Sequence, residues 1–317
     1  MTSAILRTIG LTKRFGKLTA VNALYLEIPP GGIFGFLGPN GAGKTTALRM
    51  MCGLLKPDAG QVLIQDRPIR VGGAELRAKI GVCPQNSVCW ERLTCLEQLQ
   101  FMGVMYGVAR SEARRRGNKL LEELDLVDKR DQQARTLSGG MRRRLNLALA
   151  LVHEPEIVIL DEPEAGLDPQ SRVRVREYIL GLAHTKTIIL TTHNMDEADR
   201  VVDRLAIIDH GALLVVDTPA ALKQQVGPGD VVEIKLTDAP DGEALERVCR
   251  QLGEEVGTAS YSSAGRSITL RALHAAARLP IILEALNSVG IAPGEVSLRP
   301  NSLEDVFIQL TGRSLRE

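Results

Sequence analysis

The stretch Gly38-Pro39-Asn40-Gly41-Ala42-Gly43-Lys44-Thr45 places glycine, lysine and threonine at the spacing GxxxxGK[ST]. Glycines let a backbone wrap closely enough for its N–H groups to surround phosphate oxygens. The apolar run Ile33–Leu37 before it reads as a strand, and Lys44–Cys52 after it as a helix whose N-terminal partial charge favours an anion. In that setting Lys44 reaches the β- and γ-phosphates of a nucleotide and Thr45 offers its hydroxyl to Mg²⁺. A second constellation, Ile157-Val158-Ile159-Leu160-Asp161-Glu162, ends an apolar strand in two acids. Asp161 would then face the Mg²⁺ side of the nucleotide, and Glu162, one residue on, can polarise an attacking water. Together these residues point to nucleotide hydrolysis.

Many proteins bind nucleotides with those two elements. A narrower assignment comes from Leu137-Ser138-Gly139-Gly140, just upstream of the acidic strand, which resembles the signature of the ABC-transporter ATPases. The order of the other elements is similar to that family as well. Gln85 looks like the Q-loop glutamine, Ala165-Gly166-Leu167-Asp168-Pro169 like the D-loop, and His193 like the switch histidine. Phe15, on an early turn, occupies the place of the aromatic that stacks on adenine. The resemblance covers roughly residues 4 to 220. It implies ATP held by Phe15 and by Gly38 through Thr46, Mg²⁺ held by Thr45, Gln85 and Asp161, and hydrolysis by Glu162, His193 and Gln85. It also implies a head-to-tail dimer, in which Leu137, Ser138, Gly139 and Gly140 of one chain cap the nucleotide of the other and Asp168 lies in the D-loop. One copy of each motif means a homodimer or a pairing with a sister ATPase.

Two departures from the family pattern stand out. Met141 replaces the usual glutamine after the signature, and Glu164 with Ala165 fills a slot where threonine plus a small residue is commoner. Glu164 is expected to put a negative charge near the place where two ATP molecules are sandwiched. The triple Arg142-Arg143-Arg144 reads as a solvated helix face, as do Arg114 to Arg116.

The positioning elements follow from hydrophobic period. Residues 3–9 and 21–28 read as strands split by a polar Lys13–Lys17 turn, with a further strand at Ile80–Cys83. Residues 93–135 carry apolar side chains at helical spacing and read as an inserted helical subdomain, extending to about 140 with the signature. A helix at Met141–His153, strands at Ile157–Leu160 and Thr187–Thr191 and a helix at Pro169–Ala183 give the strand–helix alternation of a layered α/β core. A hairpin turned at His210-Gly211 closes it. The fold expected is a P-loop NTPase core of the ABC ATPase type spanning residues 1–226.

After the Gly227-Pro228-Gly229 break, the pattern becomes strand 231–236, helix 241–252, strands 255–260 and 267–272, helix 275–288, strand 295–299 and helix 302–312. That order fits a small α+β ferredoxin-like accessory domain over 230–317, with one extra helix. Asn301-Ser302-Leu303-Glu304-Asp305-Val306-Phe307, then Leu310-Thr311-Gly312-Arg313, is similar to the closing motif of daunorubicin-resistance-like ATPases. The resemblance implies export of a drug, lipid, polysaccharide or similar cargo through an integral-membrane permease on a separate chain. Alternatives are a soluble ABC ATPase acting on a macromolecule and a regulatory nucleotide-binding subunit. A single phosphate loop and the short segment before the signature speak against the first, and Glu162 with His193 against the second.

Bulk composition agrees. Net charge is +1, from 39 basic and 38 acidic residues, so no bulk positive field calls for nucleic acid. No apolar run approaches the about 18 to 20 residues needed to span a bilayer, and Arg7, Lys13 and Arg14 interrupt any signal-peptide core. A cytoplasmic protein, peripheral on the inner face of the membrane, is expected. The five cysteines lack tight CxxC pairs and read as reduced thiols, although Cys83, Cys89 and Cys95 recur at regular spacing.

Overall fold

In the computed structural model, residues 4–227, 229–237, 242–255, 258–261 and 267–312 are described. Ser3, Pro228, the start of the helix expected from 241, part of the strand expected at 255–260 and Arg313 of the closing motif lie outside them. The chain divides into two compact units, Met1–Pro219 and Ala220–Glu317.

The first unit runs β1 (Leu6–Phe15), β2 (Leu18–Ile28), β3 (Ile33–Leu37), α1 (Lys44–Met51), β4 (Ala59–Ile64), β5 (Arg67–Pro68), α2 (Ala74–Lys79) and β6 (Ile80–Cys83). It continues with α3 (Cys95–Met105), α4 (Arg110–Glu123), α5 (Gly139–Leu151), β7 (Ile157–Asp161), α6 (Pro169–Ala183), β8 (Thr187–Thr192), α7 (Met195–Val201), β9 (Arg204–Asp209) and β10 (Ala212–Asp217). One sheet has the order β10-β9-β3-β8-β7-β6. Its strands run parallel except for the antiparallel edge strand β10. Every residue of β3, β7 and β8 is buried, which is why these strands read as unbroken apolar runs. The β9–β10 hairpin turns at His210 and Gly211, both at positive φ, as a two-residue turn matched to strand twist requires.

An antiparallel sheet of order β2-β1-β4-β5 completes the core. Here the structure corrects the sequence reading. Strand β1 runs on to Phe15, and the turn shrinks to Gly16 and Lys17. Register shifts between Thr8 and Arg14 break the period-2 pattern, so the second half of β1 does not alternate as a strand should. Strand β4 opens with three exposed residues, and α2, α7 and β5 are short, so none announced itself by period. The helical segment is as expected: α3 opens with a Thr94–Glu97 capping box, α4 follows, and short 3₁₀ turns lead to α5.

The second unit comprises most of α8 (Pro219–Gln225), then β11 (Asp230–Leu236), α9 (Gly242–Glu255), β12 (Thr258–Tyr261), β13 (Ser267–Ala272), α10 (Ala275–Ser288), β14 (Pro293–Arg299) and α11 (Leu303–Thr311). Its antiparallel sheet has the order β12-β13-β11-β14, the ferredoxin-like arrangement. Val232, Ile234, Ile268 and Leu270 of the sheet form a separate core with Val248 and Leu252 of α9 and Ile282 and Leu286 of α10. The closing motif is a clasp within this unit. Ser302 and Asp305 form a capping box, and Leu303, Val306 and Phe307 are buried. Asn301 donates to the carbonyls of Gly227 and Gly229 at 2.8 and 3.2 Å.

Candidate active site

The phosphate loop leaves β3 and enters α1 at Lys44. Gly38 and Gly43 are there for space as well as conformation. A Cβ on Gly38 would stand 2.1 Å from the Ile208 carbonyl oxygen, and one on Gly43 would stand 2.2 Å from that of Ala20, with φ at +101°. Lys44 is buried, and its Nζ donates to the carbonyls of Gly38 and Pro39 at 2.7 and 3.0 Å. An ammonium has three donors, so one remains for a phosphate oxygen. Burial lowers the Lys44 pKa, while the charges of Glu162 and Asp161 work to keep it up.

Parallel pairing of β7 with β8 sets the acid pair. Asp161, at the end of β7, receives the Thr45 hydroxyl at 3.1 Å to either oxygen and the Thr191 hydroxyl at 2.6 Å. Thr45 and Asp161 thus stand as adjacent hard oxygen donors, the kind Mg²⁺ takes alongside phosphate and water oxygens. Glu162 turns out of the strand at φ +47°, with its N–H bonded to Thr191 Oγ1 at 3.0 Å. Its carboxylate meets His193 Nδ1 at 2.8 Å and accepts from Gln85 Nε2 at 3.3 Å. The two candidate catalytic side chains flanking Glu162 therefore come from different strand ends, β6 and β8. Gln85 is bonded to Glu162 rather than to Thr45 or Asp161.

The signature residues stand apart from this cluster. Leu137 is buried, Ser138 caps α5 by accepting from Met141 N at 3.3 Å, and Gly139 is exposed. Among the described residues Ser138 makes its hydrogen bonds only within α5. Gly140 touches α6: a Cβ there would lie 2.4 Å from Ser171 Oγ. Asp168 caps α6 by accepting from Ser171 N at 2.9 Å, and hydrogen bonds from the Ser171 hydroxyl first and its N–H second lower the Asp168 pKa. Phe15 ends β1 rather than lying on a turn, and its ring is half exposed beneath Lys13 Nζ at 5.6 Å. Asn40, Gly41, Ala42 and Thr46 lie in or directly after the loop, as placed from sequence.

Two expectations are overturned. Glu164 is buried and pairs with Arg176 through two bonds of 3.2 and 2.8 Å, so its charge is neutralised inside the chain. Arg143 and Arg144 are buried too, not a solvated face. Arg143 donates to five main-chain carbonyls, and Arg144 reaches those of Leu124 and Asp125. Periodicity alone missed Arg143 because charge usually signals exposure. Thr191 was missed because it sits inside an apolar strand run.

The family model described as ABC transporter matches residues 21–165. Over 99% of this chain and 95% of its own length, the Nod factor export ATP-binding protein I of Ralstonia nicotianae is 39% identical. The daunorubicin/doxorubicin resistance ATP-binding protein DrrA of Streptomyces peucetius is 36% identical over 97% of this chain and 92% of its own. An ATP-binding cassette of an ABC transporter, solved in its ADP conformation, superposes with a TM-score of 0.62 at 27% identity, covering 68% of this chain and 92% of that one. Since it shares its residues with such ATP-binding proteins along almost its whole length, the chain belongs to the ABC transporter family.

Proposed function

We propose that this chain binds and hydrolyses ATP to drive an exporter whose permease is a separate integral-membrane polypeptide. The observation that carries the reading is the Glu162 carboxylate held between His193 and Gln85, beside the Thr45–Asp161 pair. Relatives named for Nod factor export and for daunorubicin resistance support export of a drug, lipid, polysaccharide or similar cargo.

The chain's residues divide the chemistry. Backbone N–H groups of the Gly38–Thr45 loop and the free donor of Lys44 hold the phosphates, and Phe15 offers its exposed ring to adenine. Thr45 and Asp161 would hold Mg²⁺, with Gln85 entering that set if it lets go of Glu162; when bound, the ion neutralises charge on the phosphate oxygens. Glu162 accepts the proton of the attacking water, and His193 orients the carboxylate.

Because Ser138 has no bond toward the phosphate loop of its own chain, the signature of a second copy or sister ATPase supplies the cap. Among the described residues no helix is long and apolar enough to cross a membrane; the export relatives support docking on a permease at the cytoplasmic face. The surface for it is the groove of Trp90, Phe101, Met105 and Tyr106, the first three exposed and the last half-buried; Trp90 follows Gln85 closely along the chain and packs edge to face on Phe101 at 5.3 Å.

Mixing Ser138→Arg and Lys44→Ala chains tests the shared site. Each variant alone is expected to be inactive, while mixed dimers regain one competent site and part of the ATPase rate. No recovery on mixing would mean each site is complete within one chain. Lack of hydrolysis by the unaltered chain would favour a regulatory subunit instead.

A further inference from the structure

Arg143 lies near the start of α5, on the helix that begins with the signature. The residue is only 6% exposed, and it makes no ion pair among the described residues. Instead each of its five N–H donors meets a main-chain carbonyl. Nε reaches Pro163 O at 3.0 Å, Nη1 reaches Pro84 O at 2.5 Å and Gln85 O at 3.0 Å, and Nη2 reaches Asp161 O and Glu162 O at 2.8 Å each. These carbonyls lie at two strand ends. One set follows β6 and includes Gln85; the other begins with the last residue of β7 and runs on through Glu162 to Pro163.

The convergence of three successive carbonyls, 161 to 163, depends on the Glu162 backbone. Glu162 sits at φ +47°, a left-handed conformation that a non-glycine residue keeps only where its surroundings hold it. On one side they do so through Thr191, whose carbonyl and hydroxyl oxygens both accept from Glu162 N–H. On the other side they do so through Arg143. The carboxylate at this turn is thus fixed from β8 through its N–H and from the signature helix through its carbonyls.

A buried cation without a carboxylate is a costly way to fill space, since an apolar side chain would do so without desolvation. Neighbouring Arg144 has the ordinary structural arrangement, tying its helix to Leu124 and to the Asp125 carboxylate. Arg143 alone gathers the loops of both residues that contact each other at 3.3 Å in the catalytic cluster. Lysine cannot substitute, because three tetrahedral donors on a single nitrogen do not reach a planar array of five acceptors.

We propose that Arg143 is a positioning residue: it sets Gln85 and Glu162 against each other and couples both to the signature helix, so that a shift of α5 shifts the catalytic pair. The proposal rests on the reading of Glu162 as the group that activates water.

The test uses the full chain with Arg143→Lys, Arg143→Gln, Glu162→Gln and the Glu162→Gln/Arg143→Lys double variant. Both Arg143 variants are expected to keep a folded circular dichroism spectrum. Their ATP affinity and KM should stay within about threefold of the original, because no contact with the phosphate loop is lost. kcat should fall by about a hundredfold, the scale of a misplaced catalytic group. Amide hydrogen exchange should rise together around Gln85 and around Glu162. In the Glu162→Gln background, Arg143→Lys should lower the residual rate no further, since it acts through that carboxylate. Loss of folding or of ATP affinity in both Arg143 variants overturns the proposal in favour of a purely structural arginine. An unchanged kcat, or an equal additional loss in the double variant, overturns it as well. If Glu162→Gln itself turns over normally, the site reading fails instead, and the two failures are distinct.

Discussion

Nδ1 of His193 lies 2.8 Å from Oε1 of Glu162, joining the end of β8 to the end of β7 across the hydrolysis site. The contact depends on the strand pairing: Asp161 lies opposite Thr191, so Glu162, just past the end of β7, and His193, just past Thr192 at the end of β8, leave neighbouring strand ends. Neither side chain could hold this geometry from a flexible loop alone.

Glu162→Gln removes the base and keeps the shape. ATP binding should survive, because Lys44 and the loop are untouched, while turnover falls by about 10²- to 10⁴-fold, the usual worth of a positioned general base. The variant should also accumulate an ATP-dependent dimer. His193→Ala should lower kcat as well, and adding it to Glu162→Gln should cost little more. Phosphate release and sizing in the presence of ATP read both outcomes; a fully additive double variant would show that His193 acts elsewhere.

Glu164→Ala is expected to act on stability rather than on the dimer. Removing Glu164 leaves the Arg176 guanidinium, still mostly covered, without its bidentate partner. Breaking a buried pair on one side typically costs about 3 to 5 kcal/mol, and the residual exposure of Arg176 places this case toward the lower end. Thermal unfolding should shift down by several degrees, with ATP-dependent dimerisation at its original midpoint once the protein is folded. A stronger dimer with unchanged stability would return Glu164 to the interface.

That reversal shows where the sequence stops being legible. The phosphate loop, Asp161 and Glu162 could be read because their chemistry demands fixed residue types at fixed distances along one chain. The parallel strands could be read because burial on both faces leaves an uninterrupted apolar run, as in Ile157–Leu160. What failed was partnership across long separations. Arg176 follows Glu164 by more than two helical turns, and Arg143 finds its acceptors on the backbone, which has no side-chain signature. Strand β1 failed for a third reason: its bulges erase the alternation by which strands are recognised.

Asp305 gives the second unit an acid-sensitive clasp. Burial works against its charge, but hydrogen bonds from Arg299 and Ser302 outweigh this and hold its pKa at about 2, below the ordinary 3.8. A carboxylate depressed on folding stabilises the folded state above the ordinary pKa, and that contribution is lost as pH falls toward 2. The unfolding midpoint of the second unit should therefore drop between pH 4 and 2. Asp305→Asn should start lower at neutral pH and lose that slope, because asparagine does not titrate. Scanning calorimetry across this range checks the prediction, and an equally steep slope in Asp305→Asn would assign the acid sensitivity to other groups.

Truncation tests whether the second unit contributes to the chemistry. Every residue placed in the site, from Phe15 to His193, belongs to Met1–Pro219. The core beneath it, from Ile5 to Ile208 with Leu213 and Val216 packed against it, uses no side chain beyond that limit. The second unit has its own sheet and core, and the closing motif is engaged there by Asn301 and Asp305. A chain ending at Pro219 should thus fold and bind ATP within about an order of magnitude of the full chain, as expected when a domain with a separate core is removed. Export and the stability of the complex with the permease should fall if the unit, whose described residues hold no group that could bind a metal ion, serves to hold the assembly together. Equilibrium nucleotide binding and co-purification with the permease measure the two effects separately. Normal export by the truncated chain would remove the assembly role, and loss of ATP binding would mean that the first unit depends on the second for its fold.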